Sequence, residues 1–197
     1  MSKIYVPATG PIGAKLMILG ESPDPQESNA GKLFVGGKGK ELDKLLRDAG
    51  INRGDCWISA VSKYEVPPSP PKKKIPFAIR ANSVGINVPE QLYDLQNEIN
   101  SIKPNCILGL GSTALWALTG KTNIGNFRGS ILHGMGTKLV ATYNPSGLLH
   151  HTESPEFKGY WNRQVMVFDC KRALNQSQFP ELSLPQRHLE ICKRSAN

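Results

Sequence analysis

The sequence predicts an α/β fold in which one domain carries a four-stranded parallel sheet flanked by helices. Three observations carry that prediction. First, short apolar runs recur at Leu16–Leu19, Asp55–Val61, Cys106–Leu110 and Lys138–Tyr143. Their length and apolar content suit strands buried on both faces. Second, helical periodicity fills the intervals, with Leu42, Leu45, Leu46 and Ala49 on one face and Leu92, Leu95 and Ile99 on another. Third, strand and helix alternate, which favours parallel pairing through crossover helices. At 197 residues the chain is expected to form a single domain, with a core over about 11–175 and a tail over 176–197.

Residues 1–14 read as an extended lead-in broken by Pro7, Gly10, Pro11 and Gly13. The first strand ends at Gly20 and delivers a loop headed by Glu21, Ser22, Pro23 and Asp24. Phe34 then stands among Gly31, Gly36, Gly37 and Gly39, in surroundings that offer little apolar packing. The leucine-rich helix that follows stops at Gly50. The second strand runs into a segment with five prolines between Pro67 and Pro76 and with Lys72, Lys73 and Lys74 packed among them. No regular element passes through such a segment. A solvated linker and a DNA-facing loop are equally open for it.

A helix is expected from Pro89, ending before Pro104. After the third strand, Gly111-Ser112-Thr113 opens a short helix over Ala114–Leu118, a place where free backbone N–H groups can hold a phosphate. Lys121 to His133 reads as a loop containing Phe127-Arg128-Gly129. The fourth strand delivers Asn144-Pro145-Ser146 and, further on, His150 and His151. A helix over about 155–174 closes the core, and Trp57, Trp116 and Trp161 read as core residues. Loops 20–36, 60–80 and 144–151 meet at the carboxyl edge of the sheet, where α/β proteins place their sites.

Bulk properties narrow the partners. The formal net charge of +8 suits a polyanion. No apolar run reaches the length of a membrane span, no signal-peptide pattern opens the chain, and a cytoplasmic, monomeric protein is expected. Cys56, Cys106, Cys170 and Cys192 form no CxxC pair, so reduced buried thiols are expected and neither a metal nor a cofactor is.

Taken together, certain residues resemble a known family. Gly20-Glu21-Ser22-Pro23, the run from Gly31 to Ile51 (GKLFVGGKGKELDKLLRDAGI), and Ile51-x-Arg53-x-Asp55 follow one another in order. So do Ile102-Lys103-Pro104, Leu110 to Ala114, Arg128-Gly129, and Thr142 to Ser146 followed by Leu148-Leu149. Over roughly residues 11–151 this pattern resembles the uracil-DNA glycosylase superfamily. Its nearest branch is typified by the iron–sulfur (family 4) enzymes and their phage polymerase-associated relatives.

The resemblance implies roles. Glu21 matches the acidic residue that activates water and stabilises the sugar's developing positive charge. Phe34 matches the aromatic that stacks on the flipped base. Arg128 and the loop at Asn144 match segments near the DNA backbone or the base. With Ser22 beside the base, Ser146, His150 and Lys72, Lys73 and Lys74 are the expected DNA contacts.

Three departures qualify it. Ala60 stands where the family has an Asn that reads uracil's edge, Asn144 where it has a His, and the cluster cysteines are absent. Asn144 also suits a turn before Pro145. Asp24 replaces a Gly, and either accepts from a polar substituent or caps the next turn. The expected activity is a monofunctional DNA glycosylase acting on a flipped, bulky or hypermodified pyrimidine such as glucosylated hydroxymethylcytosine of phage DNA, in an anti-phage role known in the superfamily. A catalytically inactive DNA-binding module and an ordinary uracil-DNA glycosylase are the alternatives.

Overall fold

A computed structural model describes residues 3–70, 73–149 and 157–181. The element order is β1 (Leu16–Gly20), α1 (Pro25–Ala30), α2 (Gly36–Asp48), β2 (Cys56–Ala60), α3 (Phe77–Ser83), α4 (Val88–Ile102) and β3 (Cys106–Leu110). Then come α5 (Gly111–Thr119), α6 (Ile124–Phe127), β4 (Ile131–Gly134), β5 (Thr137–Thr142), α7 (Ser146–Leu149) and α8 (Phe157–Ser177).

The sheet order is β2-β1-β3-β5-β4. β2, β1, β3 and β5 are parallel, in the places where the apolar runs predict strands. The expectation of a four-stranded, all-parallel sheet is corrected on one edge: β4 adds a fifth strand antiparallel to β5, so the sheet is mixed. Residues 131–133, expected as loop, begin that strand. Gly134 pairs with Thr137 across a two-residue turn, with φ of 49° at Met135 and 79° at Gly136. Two positive φ values match the twist of a tight hairpin, and Met at the first turn position lacks the Asn-Gly signature that announces one.

Alternate residues of β1 divide the core. Leu16 and Ile18 pack in the cluster that includes Leu42, Leu45 and Leu46 of α2 and Met166 and Cys170 of α8. Met17 and Leu19 pack in the other, with Leu95 and Ile99 of α4 and Leu115 of α5. A strand with side chains buried on both sides needs an unbroken apolar run, which is why β1 is legible in sequence. Buried Lys138 of β5 donates Nζ to the carbonyls of Gln176, Phe179 and Glu181 at 2.8, 2.6 and 2.6 Å. A cation at the negative end of α8 satisfies the Gln176 carbonyl, which the helix leaves open, and two carbonyls of the chain beyond it. It also fastens the helix to the sheet.

Candidate active site

The carboxyl ends of the parallel strands converge on Glu21, the residue after β1. Its Oε1 accepts from Arg80 Nη2 at 2.8 Å, and its Oε2 accepts from Thr113 Oγ1 at 2.5 Å. Thr113 lies in the first turn of α5 and Arg80 in α3, so two elements fix one half-buried carboxylate. Arg80 donates in addition from Nε to Ile75 O at 3.1 Å and from Nη1 to Pro67 O at 2.7 Å. Glu21 forms part of the wall of a cavity of about 740 Å³. Phe77, Trp116 and Ile124 give it an apolar side; Ser69, Ser112, Thr122, Asn123 and Lys74 bring polar groups. Trp116, expected as core, packs partly buried against the core cluster beside Phe77 and also lines this cavity.

Phe34 lies on the other side of β1. Its ring packs so closely on Gly20 that a Cβ there would stand 2.7 Å from the ring. At 6% exposed, Phe34 belongs to the core cluster with Leu16 and Ile18. This corrects the expectation that its glycine-rich neighbours leave it little apolar packing: the glycines let α2 approach. A Cβ at Gly39 would meet the Phe34 carbonyl at 2.0 Å.

The left-handed backbone of Phe34, φ 53°, is held by groups that sequence reasoning did not single out. Glu27, 1% exposed, accepts from the Phe34 N–H at 2.5 Å through Oε1 and from Lys38 Nζ at 2.8 Å through Oε2. Arg53 donates to the Phe34 carbonyl at 3.2 Å and pairs with Asp43 at 2.7 Å. A signal for Glu27 is nevertheless there. Asp24-x-x-Glu27 is a capping-box spacing, and both of its hydrogen bonds form, at 2.9 and 2.8 Å. Of the two roles open for Asp24, the structure shows the cap, together with an ion pair to Lys38 at 3.2 Å.

Ala60 pairs with Gly20 in register and is 1% exposed. Ala60 lines none of the 740 Å³ cavity, which lies on the α3 and α5 side of Glu21. The Ala60 carbonyl accepts from buried Lys63 Nζ at 2.9 Å, and Lys63 pairs with Glu98 at 2.7 Å. Asn144 reaches the same helix start as Glu21: a Cβ at Gly111 would lie 3.4 Å from Asn144 Cβ. Its Oδ1 accepts from the Ser146 N–H at 3.0 Å, the turn geometry that Asn-Pro suggests, while Nδ2 has no partner in that turn. Ser22 is half-buried after Glu21.

The expected DNA contacts separate. Lys73 and Lys74 are exposed on the proline-rich segment, and Ser69 orders it, accepting from the Ile75 N–H and donating to the Lys73 carbonyl, both at 2.8 Å. Lys72 and His150 lie outside the described residues, as does the Trp161 side chain. Arg128, expected near the DNA backbone, gives its guanidinium to buried Asp169, from Nε and Nη2 at 3.2 Å each. Thr142 Oγ1 donates to the same carboxylate at 2.8 Å. Burial pushes the Asp169 carboxyl up, against the pull of Thr142 and Arg128. That bidentate pair ties the loop before β4 to α8.

An iron–sulfur cluster does not fit these residues. Cys56, Cys106 and Cys170 are buried in the core, the first two on strands separated by β1, and burial pushes each thiol up to about 11 or 12. Cluster ligands must be gathered thiolates. Among the described residues no three His, Cys, Asp or Glu are grouped to hold a metal, and no helix is long and apolar enough to cross a membrane.

Comparison with known proteins follows the same residues. The family model of the uracil DNA glycosylase superfamily matches residues 7–165. The chain is 32% identical to the Type-4 uracil-DNA glycosylase of Thermotoga maritima over 167 residues, covering 83% of this chain and 78% of that protein. It is 30% identical to the Type-4 uracil-DNA glycosylase of Pyrobaculum aerophilum over 175 residues, covering 84% and 82%. The DNA polymerase of Bacillus phage SP01 is 24% identical over 155 residues, 78% of this chain and 15% of that polymerase. With a matching family model over most of its length and a carboxylate fixed at the carboxyl end of β1, the chain belongs to the uracil-DNA glycosylase superfamily and is a DNA glycosylase, an enzyme that hydrolyses N-glycosyl bonds.

Proposed function

We propose that the protein hydrolyses the N-glycosidic bond of an enlarged pyrimidine flipped out of DNA, with Glu21 as the catalytic carboxylate. The observation that carries this reading is Glu21, held by Thr113 and Arg80 on the wall of the 740 Å³ cavity. Glycosidic cleavage passes through a sugar with cationic character, and a fixed carboxylate beside the anomeric carbon stabilises that charge. The C–N bond breaks with its electron pair leaving on the base. Water aligned by Glu21 adds its oxygen to the sugar carbon, and its proton is released toward the carboxylate. An abasic site and a free base result. In this reading Phe34 packs on Gly20 from the far side of β1 and supports the site without touching the base, and Asn144 Nδ2 donates to the oxygen that gains charge. Lys72, Lys73, Lys74, Ser146 and His150 contact phosphates. The protein acts in this reading as a monomer and one domain, with Arg128 kept in its pair with Asp169.

Two features support the enlarged base. Ala60 supplies no amide to read uracil's edge, and discrimination of that kind depends on such hydrogen bonds. Ser69, Ser112, Thr122 and Asn123 offer hydroxyl and amide partners for a hydroxylated substituent in the cavity. Uracil is the second reading, favoured by the names of relatives about 30% identical over most of both chains.

Base release decides between them. The protein and Glu21→Ala are incubated with uracil DNA, unmodified DNA and glucosylated hydroxymethylcytosine phage DNA, followed by alkali. Strand breaks on the modified DNA, reduced about 100-fold or more by Glu21→Ala, are expected. Breaks on uracil DNA alone overturn the enlarged-base reading. Breaks that persist unchanged in Glu21→Ala remove Glu21 from the chemistry, and no breaks anywhere leave a DNA-binding module.

A further inference from the structure

We infer that Arg80 is a positioning residue for Glu21, and that through it the lysine-bearing loop governs the orientation of the catalytic carboxylate. The inference rests on the reading of Glu21 given above. Arg80 is 8% exposed, and each of its three nitrogens is engaged. One holds Glu21. The other two hold the carbonyls of Pro67 and Ile75, which lie at the two ends of the exposed segment that carries Lys73 and Lys74.

A planar guanidinium has fixed angles between its donors, so its three partners cannot move independently. If the segment shifts, Pro67 O and Ile75 O move, and the guanidinium turns away from Glu21 Oε1. Ser69 stiffens the same segment from within through its bonds to Ile75 N–H and Lys73 O. Arg80 Cζ also lies 5.8 Å from the Phe77 ring centroid, against a core residue of the same helix. The segment thus has one exposed cationic side, suited to phosphate, and one internal anchor that ends on the catalytic group. A loop seated by the DNA backbone holds Arg80 in place, and Arg80 holds the carboxylate at the angle the sugar needs. Thr113 holds only Oε2, so without Arg80 the other carboxylate oxygen loses its donor.

The test separates chemistry from binding on the best DNA from the base-release panel. Single-turnover release at saturating enzyme and the Kd for the same oligonucleotide carrying an abasic analogue are measured for four proteins. These are the wild type, Arg80→Gln, Arg80→Lys and Ser69→Ala. Arg80→Gln is expected to lower the single-turnover rate about tenfold or more while Kd changes less than about twofold. Arg80→Lys keeps the charge but spans fewer of the three partners, so it is expected to recover part of the rate. Ser69→Ala spares Glu21 and Arg80 but also removes a hydroxyl from the cavity wall, so loosening of the loop is read as release slowed several-fold at saturating enzyme with the half-saturating enzyme concentration unchanged.

A wild-type rate in Arg80→Gln overturns the inference, as does a rate loss matched by an equal loss of binding. A wild-type rate in Ser69→Ala overturns the loop's part in it, and this variant tests the loop even where Arg80→Gln fails to fold. Glu21→Ala run alongside separates the two levels. If Glu21→Ala is fully active, or the wild type releases nothing from any DNA, the reading of Glu21 fails and takes this inference with it. If Glu21→Ala is inactive and Arg80→Gln is not impaired, only the role of Arg80 is lost.

Discussion

At the scale of single residues, the site depends on carboxylates that each gather several donors. Glu27 is the clearest case. Buried, it joins the Asp24 N–H, the Phe34 N–H and Lys38 Nζ, and so ties the first loop to the start of α2. Lys38 Nζ also lies 5.9 Å from the Phe34 ring centroid. Removing Glu27 leaves two unpaired amides in poorly solvated positions and takes from Lys38 the nearer of its two carboxylates. Glu27→Ala is therefore expected to destabilise the protein by about 3 kcal/mol, read from urea denaturation. A change below about 1 kcal/mol would mean that the left-handed turn at Phe34 stands without it.

At the scale of elements, the segment between β2 and α3 converts net charge into an oriented surface. Lys73 and Lys74 are exposed on a loop held from inside by Ser69 and Arg80. Exposed lysines on an ordered loop release counterions when they meet phosphate, without the cost of ordering the chain. Replacing both by alanine is expected to weaken DNA binding and to lower the slope of log K against log salt by about 1.4–1.8. An unchanged slope in a salt titration would place the phosphate contacts elsewhere. The hairpin of β4 and β5 illustrates the opposite relation of element to sequence. The place of β4 in the sheet follows from pairing with β5, and the turn uses Met135 where most hairpins of this kind use Asn.

At the scale of the whole molecule, three thiols report on the closure of the core. Burial pushes Cys56 up to about 11 and Cys106 and Cys170 up to about 12, from an ordinary 9.0. Each thiol is neutral in the fold and ionises in the unfolded chain above about pH 9. The unfolded state thus sheds protons first, and stability falls as pH rises from about 9 toward 11. Each thiol contributes a slope of up to about 1.4 kcal/mol per pH unit in that window. Urea midpoints taken from about pH 8 to 10.5 are expected to fall, and Cys106→Ala is expected to flatten the fall by one thiol's share. Alkylation at about pH 8 is expected to spare these three cysteines until urea is added. Rapid modification of Cys106 in the native protein would contradict a closed sheet at β3.

The four parallel strands and the position of Glu21 are legible in the order of the residues. A strand buried on both faces requires an uninterrupted apolar run, and a loop that follows such a strand must emerge at the carboxyl edge. Family membership is legible in the same way, because ordered motifs over 11–151 are set by local residue identity and spacing. The choice of partners is not, and it belongs to the folded chain. Arg80 reaches Glu21 across 59 positions, Thr113 across 92, and Arg128 reaches Asp169 across 41. Periodicity records which side of an element is buried, but carries no record of which distant group will stand opposite. The same reason explains Phe34, whose neighbours in sequence are glycines and whose neighbours in space are the core. Nearness along the chain decided the elements; nearness across the sheet decided the site.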